Sequence, residues 1–423
     1  MKDSGLSWLG VVPETWEIVR MGQLYTERKQ KVSDVDYQPL SVTMKGVLPQ
    51  LSTAAKSDAH DDRKLVCKGD FAINSRSDRR GSCGISPCDG SVSLINTILT
   101  PRGEISPVYY EWLFHSTMFS DEFYKWGHGI VNDLWTTNWQ DMKKISVPLP
   151  TFDEQCRISA YLNIKCSQID SIIEKTGTSI EEYKKLKQAI ITQLVTKGIH
   201  PNTSMNDSGK ERIGEIPADW EIINAHRIIN STQNGLTRRD LEQSAGQIVL
   251  KLKNISPNGT IDYSTVNRIN LSEDELSKYA LQEGDFLFVR VNGSKALVGK
   301  CAIFTNVNET VAYNDHIIRV RLNSLINKKY FQFFLLSNIG RAEIDLRTST
   351  AAGQFTISGE GLRDITVVLP PLEEQKEIVQ FLEEKCGEID HLIERKDKTI
   401  EELESFKKSL IFECVTGKKE VPA

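Results

Sequence analysis

Two short stretches of this 423-residue sequence are rich in side chains that can hydrogen-bond to the edges of nucleic-acid bases. Arginine matches guanine, asparagine matches adenine, and serine or lysine adds supporting donors. Each stretch follows a Gly-Asp-Phe step, at residues 69–71 and 284–286, which predicts a turn into a strand. The sequence therefore predicts two hairpin loops as candidate DNA-binding sites, and the alternative is that each loop is a solvated hairpin tip. The candidate residues are Asn74, Arg76, Ser77, Arg79 and Arg80 in the first stretch, Arg290, Asn292, Ser294 and Lys295 in the second, and the separate basic pair Lys251 and Lys253.

Sequence patterns typical of catalysis are missing. The segment 293–301 has five residues between its glycines where a phosphate-binding loop has four, and it ends in cysteine rather than serine or threonine. The sequence contains no zinc-ligand spacing, no serine-hydrolase elbow and no Asn-Pro-Pro-aromatic step of an adenine methyltransferase. We therefore expect a non-catalytic chain with no catalytic residue, no metal site and no cofactor of its own.

The net charge of −5 is concentrated in residues 369–423, which carry 9 basic and 14 acidic side chains. A chain that binds nucleic acid alone and non-specifically is usually basic, so composition does not favour DNA binding. No run approaches the roughly 20 apolar residues of a membrane span, and no signal peptide is recognisable. The eight cysteines form no CxxC pair and predict free thiols, so we expect a cytoplasmic protein.

The sequence contains a long internal repeat. Residues 149–155 recur as residues 369–375, and this offset of 220 gives 19 identities over residues 149–198 without a gap. A second shared segment, residues 10–17, recurs as residues 214–221 at an offset of 204. The stretches between the shared segments diverge, so each half of the chain is a variable block followed by a shared block.

The shared block predicts a long helix with one narrow apolar stripe. About 45 residues at 1.5 Å per residue give a helix of roughly 65–70 Å, and a single stripe on such a helix needs a partner. We expect the two helices to pack on each other as a coiled coil, and the alternative is that each stripe packs on its own globular block. Gly177 is expected to interrupt the first helix. The predicted interface residues are Ile158, Leu162, Ile169, Ile173 and Ile180 in the first copy, and Ile378, Leu382, Ile389, Ile393 and Ile400 in the second.

The variable blocks mix short strand signals with helical stretches at residues 107–124 and 328–341, and each ends on a strand before a Leu-Pro step. The expected fold class is α+β, with two globular mixed α/β domains joined by two long helices. The predicted segments are a globular domain with the N-terminal shared segment at 1–148, a helical spacer at 149–200, a second globular domain at 201–368, and a second helical spacer at 369–423.

The order of these segments resembles the specificity subunit of type I restriction–modification enzymes. The resemblance rests on Trp8-Leu9-Gly10, Pro13 and Trp16 before a variable block, then Leu-Pro, Glu-Gln and a long helix, all repeated once. It implies two target recognition domains and an antiparallel, pseudo-twofold coiled coil. It further implies that the chain reads an asymmetric bipartite site in double-stranded DNA, one domain for each half-site. The implied partners are two methyltransferase subunits and two restriction (translocase) subunits, which would bind S-adenosylmethionine, ATP and magnesium.

Two other functions stay open at this point. One is a stand-alone DNA-modifying enzyme with an unrecognised site, which would transfer methyl groups to DNA without a partner. The other is a coiled-coil adaptor with two ligand-binding heads and no role on DNA. A mobility shift of DNA that requires a methyltransferase partner and is competed by one bipartite sequence would argue against the adaptor.

Overall fold

The computed structural model describes residues 1–50, 61–76, 79–129, 135–238, 246–256, 258–305, 307–351 and 353–422. The chain divides into two compact units. The first unit comprises Met1–Gly177 and Asp397–Ala423, and the second comprises Thr178–Lys396. Each predicted helical spacer is therefore shared between the two units. No helix among the described residues is both long and apolar enough to cross a membrane.

The first unit contains a globular part, residues 1–149, which we call the first head. Its strands are β1 (Lys2–Asp3), β2 (Val11–Val12), β3 (Glu17–Arg20), β4 (Tyr25–Arg28), β5 (Lys31–Val32), β6 (Leu40–Thr43), β7 (Gly46–Pro49), β8 (Arg63–Val66), β9 (Phe71–Asn74), β10 (Cys83–Ile85), β11 (Gly90–Ser93), β12 (Asn96–Pro101) and β13 (Ser146–Leu149). Its helices are α1 (Met21–Leu24), α2 (Pro107–His115), α3 (Thr117–Lys125) and α4 (Trp139–Met142), and the long helix α5 (Phe152–Lys197) follows.

The second unit contains the second head, residues 205–369. Its strands are β14 (Met205–Asp207), β15 (Glu215–Pro217), β16 (Glu221–Asn224), β17 (Ile229–Asn234), β18 (Gln247–Leu250), β19 (Asn267–Ile269), β20 (Phe286–Val289), β21 (Val291–Asn292), β22 (Cys301–Ile303), β23 (Val311–Tyr313), β24 (Ile317–Leu322), β25 (Ser349–Ala351), β26 (Gln354–Thr356) and β27 (Thr366–Leu369). Its helices are α6 (Glu273–Tyr279), α7 (Lys328–Leu336), α8 (Asn338–Arg347) and α9 (Gly359–Arg363), and the long helix α10 (Leu372–Val415) follows.

The two heads share their central topology. Each has a four-stranded antiparallel sheet, with the order β10-β9-β12-β4 in the first head and β22-β20-β24-β17 in the second. In each, the strand at the start of the head pairs with the strand that precedes the long helix, β3 with β13 and β16 with β27. This confirms the α+β class and the duplication that the sequence predicts.

The helical stretches predicted at residues 107–124 and 328–341 are each two helices rather than one. Ser116 and Ser337 adopt extended backbone angles that end α2 and α7. Their hydroxyls then accept hydrogen bonds from the amides of Phe119 and Gly340, which caps α3 and α8. Each predicted helical stretch is therefore confirmed as two short helices, because a serine that caps one helix also ends the preceding one.

The repeated Glu-Gln pair holds each long helix to its head. Glu154 accepts a hydrogen bond from the indole of Trp16 at 3.3 Å, and Glu374 accepts one from Trp220 at 2.7 Å. Gln155 is fully buried, accepts from the Ser106 amide at 2.8 Å, and donates to the Pro150 carbonyl at 2.9 Å. This pattern explains why the repeat retains Trp, Glu and Gln together.

Gln375 has the same role in the second head as Gln155 in the first. It accepts from the Asn327 amide at 2.6 Å and donates to the Pro370 carbonyl at 2.8 Å. Ser106 and Asn327 are the N-caps of α2 and α7, so each glutamine ties the start of the long helix to a helix of its head.

Replacing Gln155 with Leu is expected to lower the free energy of unfolding by about 2–4 kcal/mol, because it leaves a buried amide and a buried carbonyl without partners. Gln375→Leu should have a similar cost. Chemical denaturation of the purified variants measures both. The control is Gln193→Leu, at an exposed position of α5, which should change stability by less than about 0.5 kcal/mol. Equal stability of Gln155→Leu and the control would contradict this role.

Within each unit the two long helices run antiparallel. In the first unit Cys166 lies near Cys414, and four residues later Asp170 accepts a hydrogen bond from Lys407 at 2.6 Å. In the second unit Tyr183 stacks under the ammonium of Lys396, and further along Lys187 contacts Asp390 at 2.6 Å. The partner residue numbers fall as those of α5 rise, so packing of one helix on the other is confirmed in each unit.

The helix ends also pack on the heads. The hydroxyl of Tyr109 donates to the carbonyl of Val415 at 2.8 Å in the first unit, and that of Tyr330 donates to the carbonyl of Val195 at 3.2 Å in the second. Burial raises the pKa of both tyrosines well above the usual value. Each head therefore binds the C-terminal end of the other copy's helix, and the apolar stripe is shared between helix and head.

Most of the predicted interface residues are buried. Ile173, Ile393 and Ile400 are half-buried, and the buried ones are Ile158, Leu162, Ile169, Ile180, Ile378, Leu382 and Ile389. The expectation that Gly177 interrupts the first helix was wrong, since α5 runs unbroken from Phe152 to Lys197. A single glycine costs only about 1 kcal/mol in a helix, which the packed stripe on either side offsets.

The ion pairs Asp170–Lys407 and Lys187–Asp390 are two copies of one pair, since both residues recur at the offset of 220. Changing Asp170 to Lys is expected to destabilise the first unit by about 0.5–1 kcal/mol, and adding Lys407→Asp should restore most of that loss. Thermal unfolding of the two single variants and the double variant measures the coupling. Additive effects, with no recovery in the double variant, would contradict a direct contact.

Candidate nucleic-acid interface

The first candidate loop connects β9 to β10. The turn that precedes β9 is held by Asp70, whose carboxylate accepts from the Cys67 amide at 2.8 Å and from the Arg28 guanidinium at 2.6 Å. Gly69 has a φ of +87°, which disfavours any residue with a side chain. The predicted turn into a strand is therefore confirmed, and it fixes the start of the hairpin whose far end carries the arginines.

The candidate residues of the first loop differ in exposure. Asn74 is buried at the end of β9, where its side chain accepts from the Arg76 amide at 3.1 Å. Arg76, Arg79 and Arg80 are exposed. Ser77 lies outside the described residues. The structure thus brings three arginines together on one exposed loop, whereas Asn74 supports the turn from below.

The second candidate loop occupies the same position in its sheet, between β20 and β22. The turn before β20 repeats the first one: Gly284 has a φ of +81°, and Asp285 accepts from the Gln282 amide at 2.9 Å and from the Arg321 guanidinium at 2.8 Å. The two loops are therefore topological equivalents, as their Gly-Asp-Phe steps predict.

The second loop is less basic at its surface than its sequence indicates. Arg290 is half-buried, and its guanidinium donates to the backbone carbonyl of Asp315 at 3.0 Å. Ser294 and Lys295 are exposed, and Asn292 is half-buried with its side chain accepting from the Ser294 amide at 2.9 Å. Arg290 thus contributes to the fold of the loop, and Lys295 is its exposed cation.

The basic pair Lys251 and Lys253 lies elsewhere in the second head. Lys251 precedes a short 3₁₀ turn after β18 and Lys253 lies within that turn, where the Lys251 amide donates to the side chain of Asn254 at 2.9 Å. Hydrogen bonds from Ser264 lower the pKa of the Asp262 carboxylate, and the positive charge of Lys253 lowers it further. The side chain of Lys253 is exposed. These contacts connect the pair to the segment around Asp262 and not to the second loop.

A helix of each head holds its candidate loop in place. In the first head, the Tyr124 hydroxyl of α3 donates to the Arg76 carbonyl at 3.0 Å, and the Arg80 guanidinium lies 4.7 Å from the centre of the Tyr124 ring. In the second head, Arg341 of α8 donates to the Val298 carbonyl at 2.6 Å and to the Lys295 carbonyl at 3.3 Å. Burial, reinforced by Arg341, lowers the pKa of Lys300 at the end of this loop.

A second segment of each head, which the sequence reasoning missed, is joined to the candidate loop by backbone pairing. The Thr137 amide donates to the Ser75 carbonyl at 3.0 Å, and the Ile357 amide donates to the Arg290 carbonyl at 3.0 Å. In the first head Thr136 also forms an isolated antiparallel β-bridge with Arg76. In the second head the corresponding pairing is that of β26 with β21. Thr137 and Ile357 are separated by the repeat offset of 220, which is the signal that could have identified these segments.

Within the described residues, no group of three or more His, Cys, Asp or Glu side chains is arranged to hold a metal ion. The eight cysteines are free, and burial raises the pKa of the Cys301 thiol to about 12. The segment 293–301, which has some likeness to a phosphate-binding loop, contains a short 3₁₀ turn at Lys295–Leu297 and lies inside the hairpin loop rather than at the start of a long helix.

Comparison with known proteins adds an independent observation. Residues 239–404 match the family model described as the type I restriction modification DNA specificity domain. The chain is 28% identical over 427 aligned residues to the type I restriction enzyme MjaVIII specificity subunit of Methanocaldococcus jannaschii, covering 96% of this chain and 93% of that protein. It is 26% identical over 274 residues to the EcoKI specificity subunit of Escherichia coli K12, covering 64% of this chain and 57% of that protein.

Solved structures show the same fold at low sequence identity. A chain from a structure of the type I R-M system superposes with a TM-score of 0.73 at 15% identity and covers 97% of this chain and 100% of that one. The HsdS subunit of Thermoanaerobacter tengcongensis superposes with a TM-score of 0.51 at 16% identity and covers 96% and 98%. With its duplicated heads and its paired long helices, the chain shares the fold of these structures, and its sequence is similar to that of the DNA specificity subunits of type I restriction–modification systems.

Proposed function

We propose that this chain reads an asymmetric bipartite target in double-stranded DNA, with the first head on one half-site and the second head on the other. The observation that carries this proposal is the pair of equivalent hairpin loops, β9–β10 and β20–β22, which have the same place in two sheets of the same topology but carry different side chains. Equivalent positions give each head the same approach to a duplex, and different side chains give each a different sequence preference.

The exposed residues of each loop are the base-reading candidates. In the first loop these are Arg76, Arg79 and Arg80, which favour guanine contacts in the major groove. In the second they are Ser294 and Lys295, and the half-buried Asn292 beside them is a further candidate. Ser77 keeps its place as a sequence-based candidate. Asn74 and Arg290 position the loops through the backbone groups that they bind.

The chain acts as a non-catalytic subunit in this proposal. Two methyltransferase subunits supply the methyl transfer and S-adenosylmethionine, and two restriction subunits supply ATP and magnesium chemistry. With a net charge of −5, the chain has little general attraction for DNA, so the methyltransferase subunits provide many of the phosphate contacts.

The long helices offer two matching surfaces to those methyltransferase subunits. Ile172 and Phe406 of the first unit are exposed, and so are their repeat equivalents Leu392 and Leu186 in the second, with exposed fractions between 37% and 54%. At about 100° per residue, Ile172 lies on the opposite side of the apolar stripe from Asp170, and Phe406 on the opposite side from Lys407. Each unit thus exposes a pair of apolar side chains on the side away from its ion pair, which suits two identical partners.

The function is tested by sequencing the DNA methylation of the host with and without this chain. We expect one bipartite motif to lose methylation when the chain is deleted and to regain it when the chain is restored. Two results would overturn the proposal. One is an unchanged set of methylated motifs, and the other is methyl transfer from S-adenosylmethionine to DNA by the purified chain alone.

A further inference from the structure

The strands β25 and β26 form a two-stranded ribbon that continues the candidate loop of the second head. Within this ribbon Ser349 pairs with Thr356 and Thr350 with Phe355. On its other side β26 pairs with β21, so that Thr356 lies opposite Val291 and Phe355 lies opposite Asn292. The ribbon and the loop are therefore one three-stranded sheet, and a partner that contacts the loop meets the ribbon as well.

The two faces of this ribbon differ in burial. Phe355 is half-buried and packs against the core of the second unit. Successive residues of a strand point to opposite faces, so the side chain of Gln354 points away from that core. Gln354 is exposed, and its amide has no hydrogen-bond partner among the residues that the structure describes. It is a side chain with two donors and two acceptor sites at the end of a ribbon.

We infer that this ribbon is a second DNA-reading element of the second head and that Gln354 is a specificity-determining residue in it. The inference rests on the proposed function, because it takes the neighbouring loop to contact DNA. The major groove admits a two-stranded ribbon, and a glutamine amide can bind both the N6 and N7 atoms of adenine. Gln354 therefore reads one A·T pair of one half-site.

The first head supports the inference independently. Thr136 bridges Arg76, and Thr137 donates to Ser75, so a second segment joins the candidate loop at the equivalent place. Two heads with divergent sequences keep this connection while their side chains differ. That is expected if the backbone pairing places two DNA-reading segments side by side in each head, and if each head contacts its own DNA sequence with its own side chains.

The test replaces Gln354 with Ala and with Glu in the host and sequences the DNA methylation. Gln354→Ala is expected to reduce discrimination at one base pair of one half-site about tenfold. Gln354→Glu should shift the preference at the same position towards cytosine, because a carboxylate accepts from the cytosine amino group. Gln282→Ala, at an exposed position before β20, is the matched control and should leave the motif unchanged.

The outcomes separate this inference from the proposed function. If the unmodified chain directs methylation to a bipartite motif and both Gln354 variants direct it to the same motif, the inference is overturned and the proposed function stands. Relaxation in both half-sites also overturns it. If Gln354→Ala lowers the amount of folded chain, Gln354→Glu, which preserves the side-chain size, decides the question. If no motif depends on the chain at all, the proposed function itself fails.

Discussion

Replacing Ile169 with Asp is expected to destabilise the first unit by about 3–5 kcal/mol, because it places a charge in an apolar cluster. Ile169 is 7% exposed and shares that cluster with Leu162, Cys166 and Leu410. The cation that could compensate, Lys407, already pairs with Asp170. Ile389→Asp should have an equal effect on the second unit, where Lys187 is paired with Asp390. Chemical denaturation, followed by fluorescence, measures both.

The matched controls for this prediction are Ile172→Asp and Leu392→Asp. These positions are on the same helices but exposed, so stability should change by less than about 0.5 kcal/mol. Because they lie on the proposed docking surfaces, they should nevertheless weaken co-purification with the methyltransferase subunit. Unchanged stability of Ile169→Asp would mean that the apolar stripe is not the seam between the helices. Normal co-purification of both controls would place the docking surface elsewhere.

The sequence predicts the duplication well because repeated residues make repeated contacts. The offset of 220 relates Glu154 to Glu374 and Gln155 to Gln375, and each pair makes the same hydrogen bonds in its own unit. The same offset relates Asp170 to Asp390 and Lys187 to Lys407. Two identical ion pairs can form from these residues only if the helices are antiparallel. The positions of the repeated residues in the sequence are therefore enough to predict the relative direction of the helices.

The offset of 220 relates Thr137 to Ile357, but the backbone groups that these two residues contact could not be predicted from it. Nothing in the side chains of Ser75 or Arg290 indicates that their carbonyls accept from Thr137 and Ile357. Arg290 illustrates the same limit, because its residue type suits a base contact whereas its guanidinium binds the carbonyl of Asp315. Local sequence gives the chemistry available to a side chain, and the tertiary fold decides which partner it meets.

The double variant Arg76→Ala/Arg79→Ala is expected to relax recognition of one half-site and leave the other intact. A bidentate arginine–guanine contact contributes about 1–3 kcal/mol of discrimination, so losing one or two such contacts should make the corresponding base pairs degenerate. Both arginines are exposed, so the folded structure should be retained. DNA methylation sequencing of the host measures the motif directly, and Asn292→Ala with Lys295→Ala should relax the opposite half-site.

Arg102→Ala provides the control for the arginine prediction. Arg102 is exposed and follows β12 at the end opposite to Asn96, which pairs with Asn74 at the base of the loop. Arg102→Ala therefore removes one positive charge, half of what the double variant removes, from the end of the same sheet that lies away from the proposed DNA surface. If the double variant Arg76→Ala/Arg79→Ala and the control Arg102→Ala both weakened methylation of the two half-sites equally, the arginines would act only through net charge. If the double variant relaxes recognition of one half-site only, and Arg102→Ala leaves the methylated motif unchanged, then the first head reads its own half-site through this loop.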